Sequence, residues 1–181
     1  MRRRWALIVA VLLGLGALSG VAAYQGEQAG NIDAHWREIA WPYPRDGWPA
    51  GRAFRCESCG GQVELYVRPK IGFCNCDTGV ADDDEVDRVA DLDLISERFA
   101  PIAQGKVVRV ADMSGRARAY HLAMAGGAHR TAIGIALSHR CDLLVAVTQG
   151  DGEARALESA ALEFLASGDM HRWMMAALGG R

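Results

Sequence analysis

Five cysteines carry the most chemistry in this chain of 181 residues, and four of them fall within one short stretch. They are spaced as Cys56-x-x-Cys59 and Cys74-x-Cys76. Thiols at such spacings do one of three things. They close disulfides, they hold a soft metal as thiolates, or they cycle as a redox dithiol. Cys56, Cys59, Cys74 and Cys76 are therefore the candidate site as disulfide cysteines, with metal ligation as the alternative reading. Four cysteines allow three pairings, and spacing does not choose among them.

The metal reading rests on Cys-Glu-Ser-Cys-Gly-Gly at 56–61, which resembles one knuckle of a zinc ribbon. Glycines there would let backbone amides turn toward the sulfurs. The second pair is Cys-x-Cys, a departure from that pattern. No cofactor is expected if the sulfurs are bridged; zinc or copper is the cofactor on the alternative. The redox reading lacks its usual setting, since a thioredoxin-like Cys-x-x-Cys opens a helix and here Gly60-Gly61 and a strand follow. No His follows Cys59 for haem attachment.

Compartment orders these readings. Residues 1–23 begin Met1-Arg2-Arg3-Arg4, continue as an apolar run, and reach small residues at Val21-Ala22-Ala23. This is a signal peptide, or a single-pass membrane anchor, since the run approaches the ~20 apolar residues that span a bilayer. Either way the remainder is expected to be exported, to the periplasm or anchored at the inner membrane and facing it. Disulfides persist there, which places them ahead of metal and of free thiols. Cys141, in an apolar run, is expected to be a buried small hydrophobe.

Val63, Leu65 and Val67 alternate with Glu64, Tyr66 and Arg68, the period of a half-buried strand. Arg68-Pro69-Lys70-Ile71-Gly72 supplies turn residues. Together these predict a cysteine-bearing hairpin over 54–78, whose base would bring the two cysteine pairs together. Residues 24–31 read as a linker, and 32–181 as one exported domain. Ile32, Trp36 and Ile39 or Ala40 recur at helical spacing and predict a short helix.

Residues 41–49 hold three prolines among Trp41, Tyr43 and Trp48 and are expected to form an extended strap. Its rings either present an interaction surface, for a glycan or a proline-rich partner, or pin the strap to the core. Large exposed aromatic patches are uncommon, which favours packing. Asp82-Asp83-Asp84-Glu85 suits a helix N-terminus and lacks the spacing of a calcium loop. Strands are predicted near 107–111, 116–124, 130–138 and 141–148, with a turn at 112–115. An amphipathic helix is expected over 153–167, stopped at Gly168, and a second short one after it.

The fold class is α+β: an antiparallel meander with packed helices. The order of a meander followed by an amphipathic helix resembles the Mog1/PsbP type of α/β/α sandwich, from which no activity is carried over. The formal net charge is -2 and basic residues cluster only at the N-terminus, so nucleic acid is not an expected partner. The partners expected are an unknown protein or envelope component, and the membrane through the N-terminal segment. Nucleophile-elbow, P-loop and dinucleotide motifs are absent. His121 or His139 beside Cys141 is the one nucleophile–base pair the strands could assemble. The expected function is a non-enzymatic accessory or interaction domain stapled by its cysteines, with a zinc- or copper-binding protein as the alternative.

Overall fold

The computed structural model describes residues 35–44, 46–59, 61–72 and 75–179. Segments 1–23 and 24–31, read above as signal or anchor and as linker, lie outside them. Among the described residues no helix is long and apolar enough to cross a membrane.

Among the described residues, eight strands form one antiparallel sheet: β1 (Trp36–Ile39), β2 (Arg52–Cys56), β3 (Val63–Lys70), β4 (Phe99–Pro101), β5 (Lys106–Val110), β6 (Met113–Ala123), β7 (His129–His139) and β8 (Asp142–Gly150). Their order is β1-β2-β3-β8-β7-β6-β4, and β5 also pairs with β6. Two meanders are thus joined where β3 pairs with β8, Glu64 opposite Gln149 and Lys70 opposite Leu143. Leu-Leu-Val-Ala-Val in β8 reads as an unbroken apolar run because this strand is buried on both faces along its whole length.

Helices cover both faces. Helices α2 (Ala154–Leu165) and α3 (Gly168–Leu178) bury Leu157, Phe164, Leu165, Met170 and Met174 against Leu65, Val67, Ile133, Ile135 and Leu144. On the other face α1 (Asp83–Val89) and a 3-10 turn (Leu92–Leu94) bury Val86, Val89 and Leu92 against Tyr120, Leu122, Val145 and Val147. The fold is α+β, as the patterning implies.

Four local expectations are corrected. Trp36 is not on a helix. It starts β1, pairs with Cys56, and stacks on Phe164 with ring centroids 5.0 Å apart. A free edge of β2 and a ring-sized place beside Phe164 outweigh the helical spacing, which short segments carry weakly. The chain does not turn at Arg68. β3 runs on to Lys70, with Pro69 opposite Leu144 of β8. β2 begins only at Arg52, opposite Val67, so on that side Pro69 has no strand partner needing its missing donor. The hairpin is therefore β2–β3, which places 56–59 at one end of β3 and the segment after Lys70 at the other. The turn before β6 comes earlier than 112–115: Ala111 takes φ 51 and β6 begins at Met113. Gly168 does not simply stop α2; it opens α3, whose N-cap Ser167 accepts from the Met170 amide.

Candidate functional site

The helix-poor end of one sheet face carries the densest polar chemistry. Alternation in β3 sends Val63, Leu65 and Val67 to the core under α2 and α3, and Glu64, Tyr66, Arg68 and Lys70 to the opposite face. That second row is buried despite its charge: Arg68 is 3% exposed and Lys70 5%. Charges so placed need partners. Arg68 donates from Nε to Asp91 Oδ2 at 2.6 Å and from both terminal nitrogens to Asp46, each at 2.8 Å. Lys70 Nζ donates to Asp91 Oδ1 at 2.6 Å and to the Val89 carbonyl at 2.9 Å. Asp91 adopts left-handed backbone, φ 53, which aims its carboxylate at both cations from just beyond α1. Asp residues tolerate that conformation better than most.

Toward the other end of the row, Glu64 accepts from Tyr66 Oη at 2.6 Å, from Arg55 at 2.7 Å and from Gln149 Nε2 at 3.1 Å. Burial works against its charge, and the hydrogen bonds outweigh that and hold its carboxyl below the ordinary range. Burial raises the Tyr43 hydroxyl, and its hydrogen bond with Tyr66 adds to the effect. The hydrogen bond from Arg68 holds Asp46 down to about 2.

The described residues among 41–49 lie over this row as the expected strap. Trp41, Tyr43 and Tyr66 meet edge to face, with centroids 5.0 to 6.1 Å apart. Trp48 lies 5.7 Å from Lys70 Nζ, and Trp41 lies 6.0 Å from the Arg68 guanidinium. The three candidate rings are half-buried and turned inward, while Pro42, Pro44 and Pro49 face solvent. A small cavity beneath them, about 10 Å³, is lined by Trp41, Tyr43, Tyr66, Arg68, Leu94 and Val147. Gly51 permits this closeness: a Cβ there would sit 2.3 Å from the Val67 carbonyl oxygen and 2.6 Å from the Trp41 ring.

The candidate cysteines do not gather. Cys56 is bonded to Cys59 in the β2–β3 connection, and Cys76 to Cys141, 65 residues away in sequence. Cys74 lies outside the described residues. Three of the four sulfurs that the metal reading requires are thus in disulfides, at opposite ends of β3. Cys141 sits in the β7–β8 turn, not inside a central strand, and follows Arg140 at φ 56. Its sulfur is bridged and offers no nucleophile. His121 pairs with Thr131, whereas His139 is at the far end of β7, roughly 27 Å along at about 3.4 Å per residue. Among the described residues no group of three or more His, Cys, Asp or Glu is arranged to hold a metal ion.

The acidic segment is a capped helix, as its residues imply. Asp82 accepts from the Glu85 amide at 3.0 Å. Asp83 receives the Gly105 amide and Arg116, and Asp87 receives Arg118 at 2.8 Å. These carboxylates tie α1 to β6.

Asp46, Arg68, Lys70 and Asp91 were not marked by sequence reasoning. The signal was present in the period-two row of β3, but Pro69 read as punctuation and ended the strand too early. Asp91, distant in sequence, left no local trace.

No protein-family model matches the chain, and no curated protein matches it. Among solved structures, the crystal structure of a protein of unknown function from Pseudomonas aeruginosa, PA94, is similar at a TM-score of 0.43 and 12% identity, over 74% of this chain and 95% of that one. That score assigns neither a fold family nor an activity.

Proposed function

We propose that this chain is an exported, disulfide-stapled accessory domain that contacts a protein partner or envelope component through the strap at 41–49. The observation that carries the proposal is the pair of bridges, Cys56–Cys59 and Cys76–Cys141, which suit an oxidising compartment. The basic and apolar leader at 1–23 supports export by the same route, with the membrane reached through that segment. Tryptophan and tyrosine are the side chains most often found at the centres of contact surfaces, and the strap gathers three of them beside a buried cation pair. Helices on both faces of the sheet favour the Mog1/PsbP type of sandwich as the finer fold.

Two measurements test this. A reporter that is active only outside the cytoplasm, fused after Arg181, should be active with residues 1–23 and silent without them. A photo-crosslinker at Pro44 should capture an envelope protein that the same group at Arg155, exposed on α2, does not capture. A silent reporter on the intact chain removes export from the proposal. Equal capture at both positions removes the strap.

A further inference from the structure

The Arg68 side chain is 4% exposed, whereas the Asp46 side chain that fills its fork is 32% exposed. The fork therefore opens toward the strap, and Asp46 reaches it from the solvent side. Both terminal nitrogens are engaged at 2.8 Å, the bidentate geometry that suits a planar guanidinium to a carboxylate. Without Asp46, the group of Arg68, Lys70 and Asp91 carries one more positive than negative charge. Aromatic rings border it: Trp41 at the guanidinium, Trp48 at Lys70, and Tyr43 against Tyr66. The fork's geometry suits an anion with two oxygens, and the rings beside it offer surfaces a peptide can lie against.

Beyond Arg68, the Asp46 carboxylate accepts a longer hydrogen bond, 3.3 Å, from the Trp48 amide within the strap itself. Among the described residues of 40–50, none forms a strand ladder with the sheet. Pro42, Pro44 and Pro49 have no backbone donors to offer one. Gly47 follows at φ 93 with nothing within 4 Å of a Cβ position, a point where the strap can change direction.

We infer that Asp46 is a tethered stand-in for a ligand, and that the partner presents an acidic peptide segment whose carboxylate exchanges with Asp46 in the Arg68 fork. This rests on the strap being the contact surface. Exchange keeps the buried guanidinium paired before and after, so no uncompensated charge is left inside. A tethered carboxylate competes at an effective concentration on the order of millimolar or more. Apparent affinity is reduced by the fraction of time the fork is open. Removing the carboxylate from residue 46 should restore it.

The test uses the full chain at low salt, a hexaglutamate peptide as probe, and tryptophan fluorescence as readout. Asp46→Asn should bind hexaglutamate at least about tenfold more tightly than the unaltered protein, and hexaglutamine should bind neither. Arg68→Lys placed on Asp46→Asn keeps the charge but loses the fork, and should abolish the gain. Equal affinity with and without the Asp46 carboxylate overturns the inference, as does a gain that survives Arg68→Lys. If Asp46→Asn does not fold, the unaltered chain decides: hydrogen exchange at the described backbone amides among residues 43–50 must rise when hexaglutamate is added, and unchanged exchange refutes the exchange mechanism. The strap reading fails separately, when Trp48→Ala leaves capture of the envelope partner unchanged.

Discussion

Removal of the Cys76–Cys141 bridge should be the most damaging change that leaves the core intact. The two cysteines are 65 residues apart in sequence, and the segment between them holds α1 and β4 to β7. In the chain-entropy model, closing a loop of that length restricts the unfolded chain by about 4 kcal/mol, while the three-residue separation of Cys56–Cys59 gives about 2 kcal/mol. Cys74→Ser serves as the background, so that no third thiol can re-pair. On it, Cys76→Ser with Cys141→Ser should lower stability by about 4 kcal/mol, against about 2 kcal/mol for Cys56→Ser with Cys59→Ser. At about 2–4 °C per kcal/mol for a domain of this size, the first pair of changes lowers Tm by about 8–16 °C. Urea unfolding followed by circular dichroism reads both values under non-reducing conditions. If the two double variants lose equal stability, loop length is not what the longer bridge contributes, and the reasoning fails.

Four further outcomes follow from the structure. With five cysteines and four in bridges, the denatured, unreduced protein should label at one cysteine, Cys74; labelling of four or five sulfurs would mean the bridges do not form. Gly51→Ala should cost about 1–3 kcal/mol and red-shift tryptophan emission, because its methyl group collides with Trp41 and the Val67 carbonyl; unchanged emission would place the strap elsewhere. Phe164→Ala should cost about 3–5 kcal/mol, since Phe164 is 5% exposed and packs on both Trp36 and Phe54; a loss below about 1 kcal/mol, read from urea unfolding, would refute that packing. Acid should destabilise the fold in a defined direction. Arg68 holds Asp46 down to about 2, and Glu38, Glu64 and Asp83 are also held low, so the unfolded chain takes up protons first. That stabilisation is complete above the unfolded carboxylate range and is lost as pH falls from about 4 toward 2. A urea midpoint that stays flat down to pH 2 would contradict it.

What the sequence determined by itself is what depends on near neighbours. Alternation in 63–67 decided a strand, because side chains two apart share a face, and the unbroken apolar run in 141–148 decided a central one. Leu157, Ala161, Phe164 and Leu165 decided a helix face, and Asp82 with its following acids decided a capped N-terminus. The aromatic and proline content of 41–49 excluded regular structure there. What tertiary structure alone decided is which distant residues meet. β3 pairs with β8, so Pro69 continues a strand that local chemistry would end. Trp36 becomes a strand residue because β2 offers an edge and Phe164 a ring. Cys76 finds Cys141 rather than its near neighbours because the turn after β7 lies beside the chain that follows β3. Arg68 joins Asp46 and Asp91 across 22 and 23 residues of sequence. Pairing energy of that kind depends on where whole elements pack, and no local spacing encodes it.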